Sequence, residues 1–498
     1  MASAARWTLV ATILGSGMTF VDGTVVNVAL PALQAGLNAT ITDVQWVIEA
    51  YALLLGALIL VGGSLGDQFG RKRVFLIGVF IFTAASILCG LATSPRMLIA
   101  GRALQGFGAA FLVPGSLAII SATFPDAERG RAIGTWSGFS SITAAIGPVT
   151  GGWLVEHVSW RAVFFINVPL AIAVVVLSLG FMAESRDPTR TSRIDWIGGT
   201  LAVVGLGGIV FGLIEWPPLG ARHPLVLISL ALGALAVVCL VIAEQRVSNP
   251  MLPLALFERR TFTRANVLTL LVYAALGVVM FLVPLNLIQV QRYTATQAGA
   301  ALLPFPLIMF VLSRWSGGLV ARTGARLPLT VGPAIAALGL AMYALPGIGG
   351  SYWQTFFPAV IVLGFGMAVT VAPLTTTVMG AVESGHAGVA SGINNAVARV
   401  AGLLAIAVFG VVLVRSFDAQ IRPRLDELTL SAPASTAIER ELAKMAGAGI
   451  DALTEVPASM RTGVRQAIDE AFVSAFRRVL LCAAALALAG AAVGLSLR

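Results

Sequence analysis

The sequence predicts an all-α protein that crosses a membrane many times. Of its 498 residues, 58% are hydrophobic and only 11% are Asp, Glu, Lys or Arg. The hydrophobic residues come in blocks of about twenty, the length that an α-helix needs to cross a hydrocarbon layer of roughly 30 Å. Because lipid offers no hydrogen-bond partner, each block must satisfy its own backbone groups as a helix. A soluble protein of this length is therefore excluded.

Fourteen spans are expected from these blocks and from the charges, glycines and prolines that separate them. Six spans precede a pair that has few polar residues, and six follow it. The spans lie at about residues 7–33, 44–65, 74–94, 97–121, 131–155, 163–182, 195–214, 224–243, 265–290, 298–320, 327–346, 353–381, 393–414 and 477–497.

A weak internal repeat supports this arrangement. The segment 317–326 is a degraded copy of the segment that begins at Gly63, with Ala321 in place of Asp67. It follows the tenth span as the first copy follows the second, so each half has six spans once the central pair is set aside. Proteins built from such repeats place a binding site between the halves near mid-depth. We predict an N-terminal bundle, an inserted helix pair and a C-terminal bundle over residues 1–182, 183–243 and 265–498.

The segment 416–474 is the one sizeable polar stretch, and the odd number of spans before it places it on the outer side. Apolar residues recur there at helical spacing in two groups. They are Ile438, Leu442 and Met445, followed by Val464, Ile468, Phe472 and Phe476. We predict a small amphipathic helical element on the outer surface, continuous with the last span. A disordered loop is the alternative.

Lys and Arg are concentrated on one side of the predicted membrane. With the N-terminus inside, sixteen fall in cytoplasmic segments and four in the short outer loops, namely Arg96, Arg161, Arg222 and Arg292. Since short cytoplasmic loops keep Lys and Arg, both termini are expected in the cytoplasm. The net charge of +9 follows from this asymmetry and gives no reason to expect nucleic-acid binding.

A charged loop that begins at Gly63 separates the second and third spans. Its Gly70 permits a reversal of the chain without a Cβ clash. Arg71 and Lys72 can clamp Asp67 and the neighbouring helix ends, and a clamp that breaks when the halves move apart would be a cytoplasmic gate. A topology anchor, which only keeps the loop inside, is the alternative.

Ionisable residues inside the spans are costly and are therefore functional candidates. Asp22 lies about eleven residues, or about 16 Å, from the outer end of the first span, close to mid-depth. Glu49 and Arg102 lie at similar, shallower depths, so Arg102 can pair with Glu49 or reach inward to Asp22. Burial favours an uncharged carboxyl, which suits a group that gains and loses a proton in each cycle. The alternatives are a permanently neutral Asp22 and a static Glu49–Arg102 salt bridge.

Small residues follow one face of the fifth span at Gly147, Gly151 and Gly152, and Pro148 removes a backbone hydrogen bond beside them. Such a face lets helices approach closely, and the bend lets the helix change shape without side-chain clashes. Simple helix packing is the alternative interpretation.

Four polar residues are candidates for lining a substrate cavity between the halves. Three of them share the thirteenth span, where an arginine accompanies two amides. The four are Asn27, Asn394, Asn395 and Arg399. The three cysteines fall inside apolar blocks and the three histidines in separate loops, so we expect no disulfide, no metal site and no catalytic cluster.

Five motifs in chain order resemble those of the major facilitator superfamily, in its fourteen-span drug:proton antiporter branch. The loop 63–73 matches the signature Gly-x-Leu-Ala-Asp-Arg-x-Gly-Arg-Lys except at Gly66 and Gln68, and residues 147–152 match the antiporter signature Gly-Pro-x-x-Gly-Gly. The other three are the segments around Asp22, around Arg102 and over 159–169. Two features depart from the branch: Gln68 removes a cation from the gate, and the segment 416–474 is long.

The resemblance implies a proton-coupled efflux antiporter that exports amphipathic, cationic drugs or dyes by alternating access. It further implies a monomer in the inner membrane of a bacterium, powered by a proton gradient rather than by a cofactor. Small-molecule substrates, protons and membrane lipid are the expected partners. An exporter of a lipid or cell-envelope precursor would share these motifs, whereas an importer would lack the bend at Gly147, and an enzyme would need a cluster that the sequence lacks.

Overall fold

The computed structural model describes residues 2–186, 195–247, 250, 252–383, 387–428 and 430–497, with the backbone alone at 2, 3, 126, 127, 141, 314, 387 and 388. Within these residues the secondary structure is helical and contains no strand. The start of the predicted inserted pair, over 187–194, lies outside them. The first nine helices are α1 (Ala2–Leu37), α2 (Ile41–Phe69), α3 (Arg71–Gly90), α4 (Pro95–Thr123), α5 (Asp126–His157), α6 (Ala162–Phe165), α7 (Asn167–Phe181), α8 (Trp196–Leu219) and α9 (Pro224–Arg246).

Nine further helices follow along the chain. They are α10 (Arg260–Leu285), α11 (Ala295–Leu302), α12 (Pro304–Gly317), α13 (Leu319–Thr323), α14 (Arg326–Tyr343), α15 (Phe357–Gly380), α16 (Ala387–Asp426), α17 (Ala432–Leu442) and α18 (Ala458–Leu495). A π-helical turn, Asn286–Val290, continues α10.

Thirteen helical segments of the described residues are long and apolar enough to cross a membrane. The prediction has fourteen spans, and the difference is the fifth. Helix α5 is 32 residues long and is not among the thirteen, because glycine, serine and threonine dilute its apolar residues. The length of α5 exceeds the roughly 20 residues that a crossing needs.

Helices α1–α7 pack together as an N-terminal half and α10–α18 as a C-terminal half. The pair α8 and α9 packs on itself, and α8 also lies against α2 and α16. Most large side chains on the outer face of α9 are exposed, as expected where lipid replaces protein. The two ends of the bundle are named here the Gly70 end, which also carries Gly324, and the Asn38 end, which also carries Arg292.

Local sequence explains where the helices begin and turn. Thr40 caps α2, because its hydroxyl accepts from the Asp43 N–H while the Asp43 carboxylate accepts from the Thr40 N–H. At the Gly70 end, Gly70 (φ 112°) joins α2 to α3, and Gly324 (φ 74°) stands at the corresponding place in the C-terminal half. The two copies of the internal repeat thus share a backbone reversal that only glycine adopts without strain.

The polar segment 416–474 is built largely of helix at the Asn38 end. Helix α16 extends through its first residues, α17 follows, and α18 begins at Ala458 and runs unbroken into the membrane. The second group of apolar residues, 464–476, lies on α18 and is fully buried. The first group differs from the expected spacing, since α17 ends at Leu442 and Met445 takes a positive φ of 55° at the start of a short 3₁₀ turn.

Candidate functional site

A buried ion pair joins α1 to α4 inside the N-terminal half. The Arg102 Nη1 atom lies 2.5 Å from Asp22 Oδ2, and the two side chains are 2% and 0% exposed. The other oxygen, Oδ1, accepts from Gln105 Nε2 at 2.7 Å and from Asn167 Nδ2 at 3.3 Å. Asp22 therefore has partners on both oxygens, as an ionised carboxylate requires when it is buried.

A set of neutral polar groups surrounds the pair. Ser86 Oγ accepts from Gln105 at 2.8 Å and from Asn167 at 3.3 Å. Arg102 donates from Nε to the Val47 carbonyl at 3.0 Å, and its guanidinium lies 4.2 Å from the centre of the Tyr51 ring. The sequence analysis did not single out these neutral partners, although one signal was available. Gln105 lies one helical turn after Arg102, so the two share a helix face.

Glu49 has a different environment from Asp22. It is 0% exposed, and neither of its oxygens has a hydrogen-bond partner among the described residues. Of the two pairings that the sequence left open for Arg102, the structure has the one with Asp22. The amide nitrogen of Gln45, one turn before Glu49, is likewise buried without a partner in the described part of the chain.

The face of α2 that carries Glu49 is directed at the C-terminal half. Gln45 lies against Gly410 of α16, where a Cβ would come within 1.8 Å of its amide nitrogen. A Cβ on Gly56 would lie 3.7 Å from Cβ of Arg399, also on α16. Since positions 45, 49 and 56 share one helix face, Glu49 lies at the seam between the halves.

The predicted gate loop forms a cluster within the N-terminal half. Arg71 Nη2 lies 2.8 Å from Asp67 Oδ1, one turn earlier in the chain. Lys72 Nζ donates to the Met182 carbonyl at 2.7 Å, and its backbone N–H donates to Glu184 at 3.0 Å. Glu184, which the sequence analysis did not predict, thus caps α3 with a carboxylate. Each of these bonds joins residues of α2, of α3 or of the segment that follows α7.

Gly63, the first residue of the loop motif, lies on the face of α2 that packs against α4. A Cβ on Gly63 would lie 3.6 Å from the Pro114 side chain, which is ordinary van der Waals contact. Gly62, its neighbour, is far tighter, because a Cβ there would lie 2.1 Å from the Ala110 carbonyl oxygen. Close approach of α2 and α4 therefore depends on Gly62 more than on Gly63.

The stretch of α5 over residues 147–152 packs closely against helices of both halves. A Cβ on Gly147 would lie 2.0 Å from Thr24 Oγ1, and one on Gly151 would lie 2.4 Å from the Val25 side chain, both on α1. On the opposite face, a Cβ on Gly152 would lie 2.3 Å from the Ala295 carbonyl oxygen of α11. Beside them, a Cβ on Gly299 would lie 2.1 Å from the Pro148 carbonyl oxygen, so two backbones touch there.

Further bonds join the halves at the Asn38 end. Gln289 Nε2 donates to Gln34 Oε1 at 2.7 Å, and both side chains are buried. The Thr296 N–H at the start of α11 donates to Glu156 Oε2 at 3.3 Å. Hydrogen bonds from Thr296 and Thr294 lower the pKa of Glu156, because they stabilise its charged form.

The segment that follows α17, from residue 443 to 448, forms hydrogen bonds with the same end of the bundle. The Ala443 carbonyl accepts from the Ile41 N–H at 3.0 Å, and the Lys444 carbonyl accepts from Gln34 Nε2 at 3.2 Å. Arg465 of α18 holds this segment by donating to the carbonyls of Ala446 and Ala448. The segment therefore bridges the C-terminal half, to which it is joined by α18, and the first two helices.

Toward the Gly70 end the halves separate. A Cβ added to Gly130, Gly134 or Gly138 of α5 would meet nothing within 4 Å. A cavity of about 500 Å³ lies between this part of α5 and helices α10, α12 and α15.

The four predicted cavity residues lie elsewhere, and none of them lines this cavity. Asn394 donates to Asn266 Oδ1 at 3.1 Å and to Thr269 Oγ1 at 2.6 Å, inside the C-terminal half. Asn27 and Asn395 each donate to a carbonyl of their own helix. Arg399 lies at the seam opposite Gly56, as described above.

Three comparisons with known proteins agree with this architecture. The Major Facilitator Superfamily model matches residues 12–406. The chain is 37% identical over 420 residues to the multidrug resistance protein Stp of Mycobacterium tuberculosis (strain CDC 1551 / Oshkosh). The alignment covers 84% of this chain and 78% of that protein. It is 32% identical over 498 residues to the tetracenomycin C resistance and export protein of Streptomyces glaucescens, with 99% and 91% covered.

Among solved structures, the fold resembles that of a bacterial homologue of the human lysosomal transporter Spinster, crystallised in an inward-facing and unoccupied conformation. The TM-score is 0.67, the sequence identity is 17%, and the superposition covers 99% of this chain and 98% of that one. At this level of identity the likeness concerns the fold alone.

Proposed function

Because the chain belongs to the major facilitator superfamily, whose members are transporters rather than enzymes, we propose that it exports amphipathic drugs in exchange for protons. The two relatives described above are named for resistance to drugs or antibiotics, and one of them for export. The bend of α5, which carries the antiporter signature of the family, agrees with export rather than import.

The proposed topology has fourteen spans, with α5 as the fifth. Its 32 residues are enough to cross, and it packs against α1 along the same bundle as the apolar helices. Six spans, an inserted pair and six spans then place both termini and the Gly70 end in the cytoplasm of a bacterium. The concentration of Lys and Arg in the loops at that end supports this orientation.

Alternating access requires a cavity that opens to one side at a time. At the Asn38 end the halves touch through backbone atoms and through the Gln34–Gln289 bond. Toward the Gly70 end, α5 and α12 leave a cavity between them. In the proposed orientation this is an inward-facing conformation, in which substrate enters from the cytoplasm.

Proton coupling rests on one observation: two fully buried carboxyl groups in the same half have opposite surroundings. Asp22 is held by Arg102 and two amides, which stabilise its ionised form. Glu49 has no partner among the described residues, and an unpaired buried carboxylate is costly, so it is held uncharged. Two carboxyl groups whose surroundings favour opposite protonation states can take different roles in accepting and releasing a proton as the halves move.

In the proposed cycle, a proton that reaches Asp22 removes the charge that holds Arg102. The freed guanidinium then seeks another acceptor, since arginine remains charged. Opening of the α2–α16 seam brings Glu49 to water, where it releases its proton. The resemblance to drug:proton antiporters implies cationic substrates, but neither Asp22 nor Glu49 lines the cavity in this conformation. Charge exchange between substrate and carboxylate would therefore need a further rearrangement.

An exporter of lipid or cell-envelope precursors remains a second candidate because of one feature. A groove of about 590 Å³ lies on the lipid-facing side of α12 and α15, and the described residues that line it are all apolar, among them Leu307, Val311 and Phe365. This apolar lining suits an acyl chain. Transport of a labelled lipid, inhibited by a bulky substitution at Val311, would favour this candidate over drug export.

The test uses purified protein in proteoliposomes with an imposed pH gradient and a panel of drugs. Asp22→Asn and Glu49→Gln should each abolish gradient-driven accumulation, because neither amide can carry a proton. Asp22→Asn also leaves a buried arginine unpaired, which costs about 3–5 kcal/mol. The double variant Asp22→Asn with Arg102→Gln controls for folding and should recover thermal stability without recovering coupling. Wild-type accumulation by both single variants would refute the coupling scheme.

A further inference from the structure

The cavity between the halves has two walls of different chemistry. One wall is the Gly70-end part of α5, where Gly134 and Gly138 leave the backbone bare. The facing wall carries large apolar side chains from the C-terminal half, including Phe305, Met309 and Phe310 of α12. A flat surface opposite an aromatic one makes a slot that suits a planar ring system, because rings stack on aromatic faces and pack closely on bare backbone.

Among the described residues that line the cavity, polar groups are few and none is charged. No carboxylate occurs among the described residues that line it. Ser313 and Ser316 donate their hydroxyl protons within α12, at 2.7 Å and 3.2 Å, and so offer only acceptor lone pairs. Tyr273 of α10 also lines the cavity, and its hydroxyl has no hydrogen-bond partner in the described part of the chain. Tyr273 is therefore free to donate to a bound molecule.

An organic cation in such a cavity would lose water without gaining a counter-charge. Burial of an unpaired charge is far more costly than burial of an apolar ring that carries a carbonyl. The two buried carboxyl groups of the N-terminal half do not supply the missing charge, since Asp22 is already paired and Glu49 faces the α2–α16 seam.

We infer that this cavity binds uncharged, planar aromatic compounds, with a ligand carbonyl accepting from Tyr273 and the ring system lying between the α5 glycines and the α12 aromatics. The inference rests on the proposed export function and replaces the expectation of cationic substrates. Proton coupling then moves an uncharged substrate, so the carboxyls drive the conformational change and do not bind the cargo.

The test measures binding to purified protein in detergent with three ligands that share one ring system. They are anthraquinones that carry a hydroxymethyl, a trimethylammoniomethyl or a sulfonate group. The uncharged ligand should bind most tightly, by about tenfold or more over either charged one, the ratio that corresponds to 1.4 kcal/mol. Equal or tighter binding of a charged ligand overturns the inference.

Two variants test whether the ligand binds in the cavity. Gly138→Leu fills the slot from the α5 side and should weaken binding of the uncharged ligand by about tenfold or more. Gly180→Leu is the matched control, since a Cβ on Gly180 of α7 also meets nothing within 4 Å but Gly180 does not line the cavity. Tyr273→Phe should weaken binding by about three- to tenfold, the worth of one hydrogen bond. Unchanged binding by both Gly138→Leu and Tyr273→Phe overturns the inference.

Binding and transport separate this inference from the proposed function. If the uncharged ligand binds as described but no pH gradient moves it, proton-driven export fails and the assignment of the cavity stands. If a gradient moves the trimethylammonium compound in preference and Gly138→Leu leaves that transport unchanged, export stands and the inference fails.

Discussion

Two parts of α5, residues 130–138 and residues 147–152, use glycine in opposite ways. At Gly147, Gly151 and Gly152 a Cβ would overlap an atom of α1 or α11. At Gly130, Gly134 and Gly138 it would meet nothing. The same residue type therefore provides close packing in one part and an open wall in the other. A count of glycines along the helix does not distinguish them, because the difference lies in what the partner helix does.

Because α5 runs from one end of the bundle to the other, the packing of its two parts shows how the two ends differ. The Asn38 end is closed by contacts that must break in any outward opening, and the Gly70 end already holds a cavity. Substitutions at the closed end should therefore change the balance between conformations, whereas substitutions at the open end should change what binds. The following predictions test this division.

The largest effect is expected where two backbones touch. Gly299→Val inserts a branched side chain at a point where even a Cβ would lie 2.1 Å from the Pro148 carbonyl oxygen. The Asn38 end should fail to close, and transport should fall by more than tenfold, since overpacking costs about 1–3 kcal/mol or more. Gly130→Val is the control and should retain transport within about twofold. Comparable losses in the two variants would contradict the proposed difference between the two parts of α5.

A reversible lock tests whether the segment after α17 must move. Ile41 and Ala443 are joined by a backbone hydrogen bond, so cysteines at both positions of a cysteine-free protein should form a disulfide on mild oxidation. Oxidation should stop transport, leave ligand binding at the Gly70 end intact, and be reversed by dithiothreitol. Full transport by the oxidised, cross-linked protein would show that this segment stays in place throughout the cycle.

A smaller effect is expected from Gln34→Ala. The change removes a bond to Gln289 and one to the Lys444 carbonyl, and it leaves the buried amide of Gln289 without that partner. The closed state should lose about 1–3 kcal/mol. Labelling of a cysteine placed at Ala298, a fully buried residue of α11, should become faster, and labelling of one placed at Gly130 should not. Gln291→Ala, which breaks bonds within the C-terminal half only, serves as the comparison.

The smallest effect concerns pH. Since hydrogen bonds lower the pKa of Glu156 in the closed state, its contribution is present above the ordinary glutamate pKa and is lost as pH falls through the lowered value. Acid at the Asn38 face, below about pH 4, should therefore loosen that end slightly. Glu156→Gln should remove this pH dependence of cysteine labelling. A pH response that persists in Glu156→Gln would assign it to another group.

The predictable part of the molecule is the part that follows from sequence-local physics. Apolar blocks predicted the helices, and Gly70 predicted the reversal between α2 and α3, because those signals act within a few residues. The pairing of Arg102 was narrowed to two carboxyls, and only the relative positions of α1, α2 and α4 could decide between them.

The neutral partners of the site were harder to see. Ser86 and Asn167 carry no charge, so a lone hydroxyl or amide in an apolar block does not stand out. The Gln34–Gln289 bond joins residues 255 positions apart, and it depends on how the halves meet. The sequence analysis did not predict the glycines that line the cavity for a related reason. A glycine has no side chain whose chemistry would indicate a binding surface.

Helix α18 spans 38 residues, about 57 Å at 1.5 Å per residue, which exceeds the roughly 30 Å of a bilayer core, so its first turns lie beyond the predicted bilayer. A rigid rod of this length converts a small tilt inside the membrane into a displacement of several ångströms at its tip. In the proposed topology that tip lies outside the cell, so an antibody fragment raised against it would sense or arrest the carrier without crossing the bilayer.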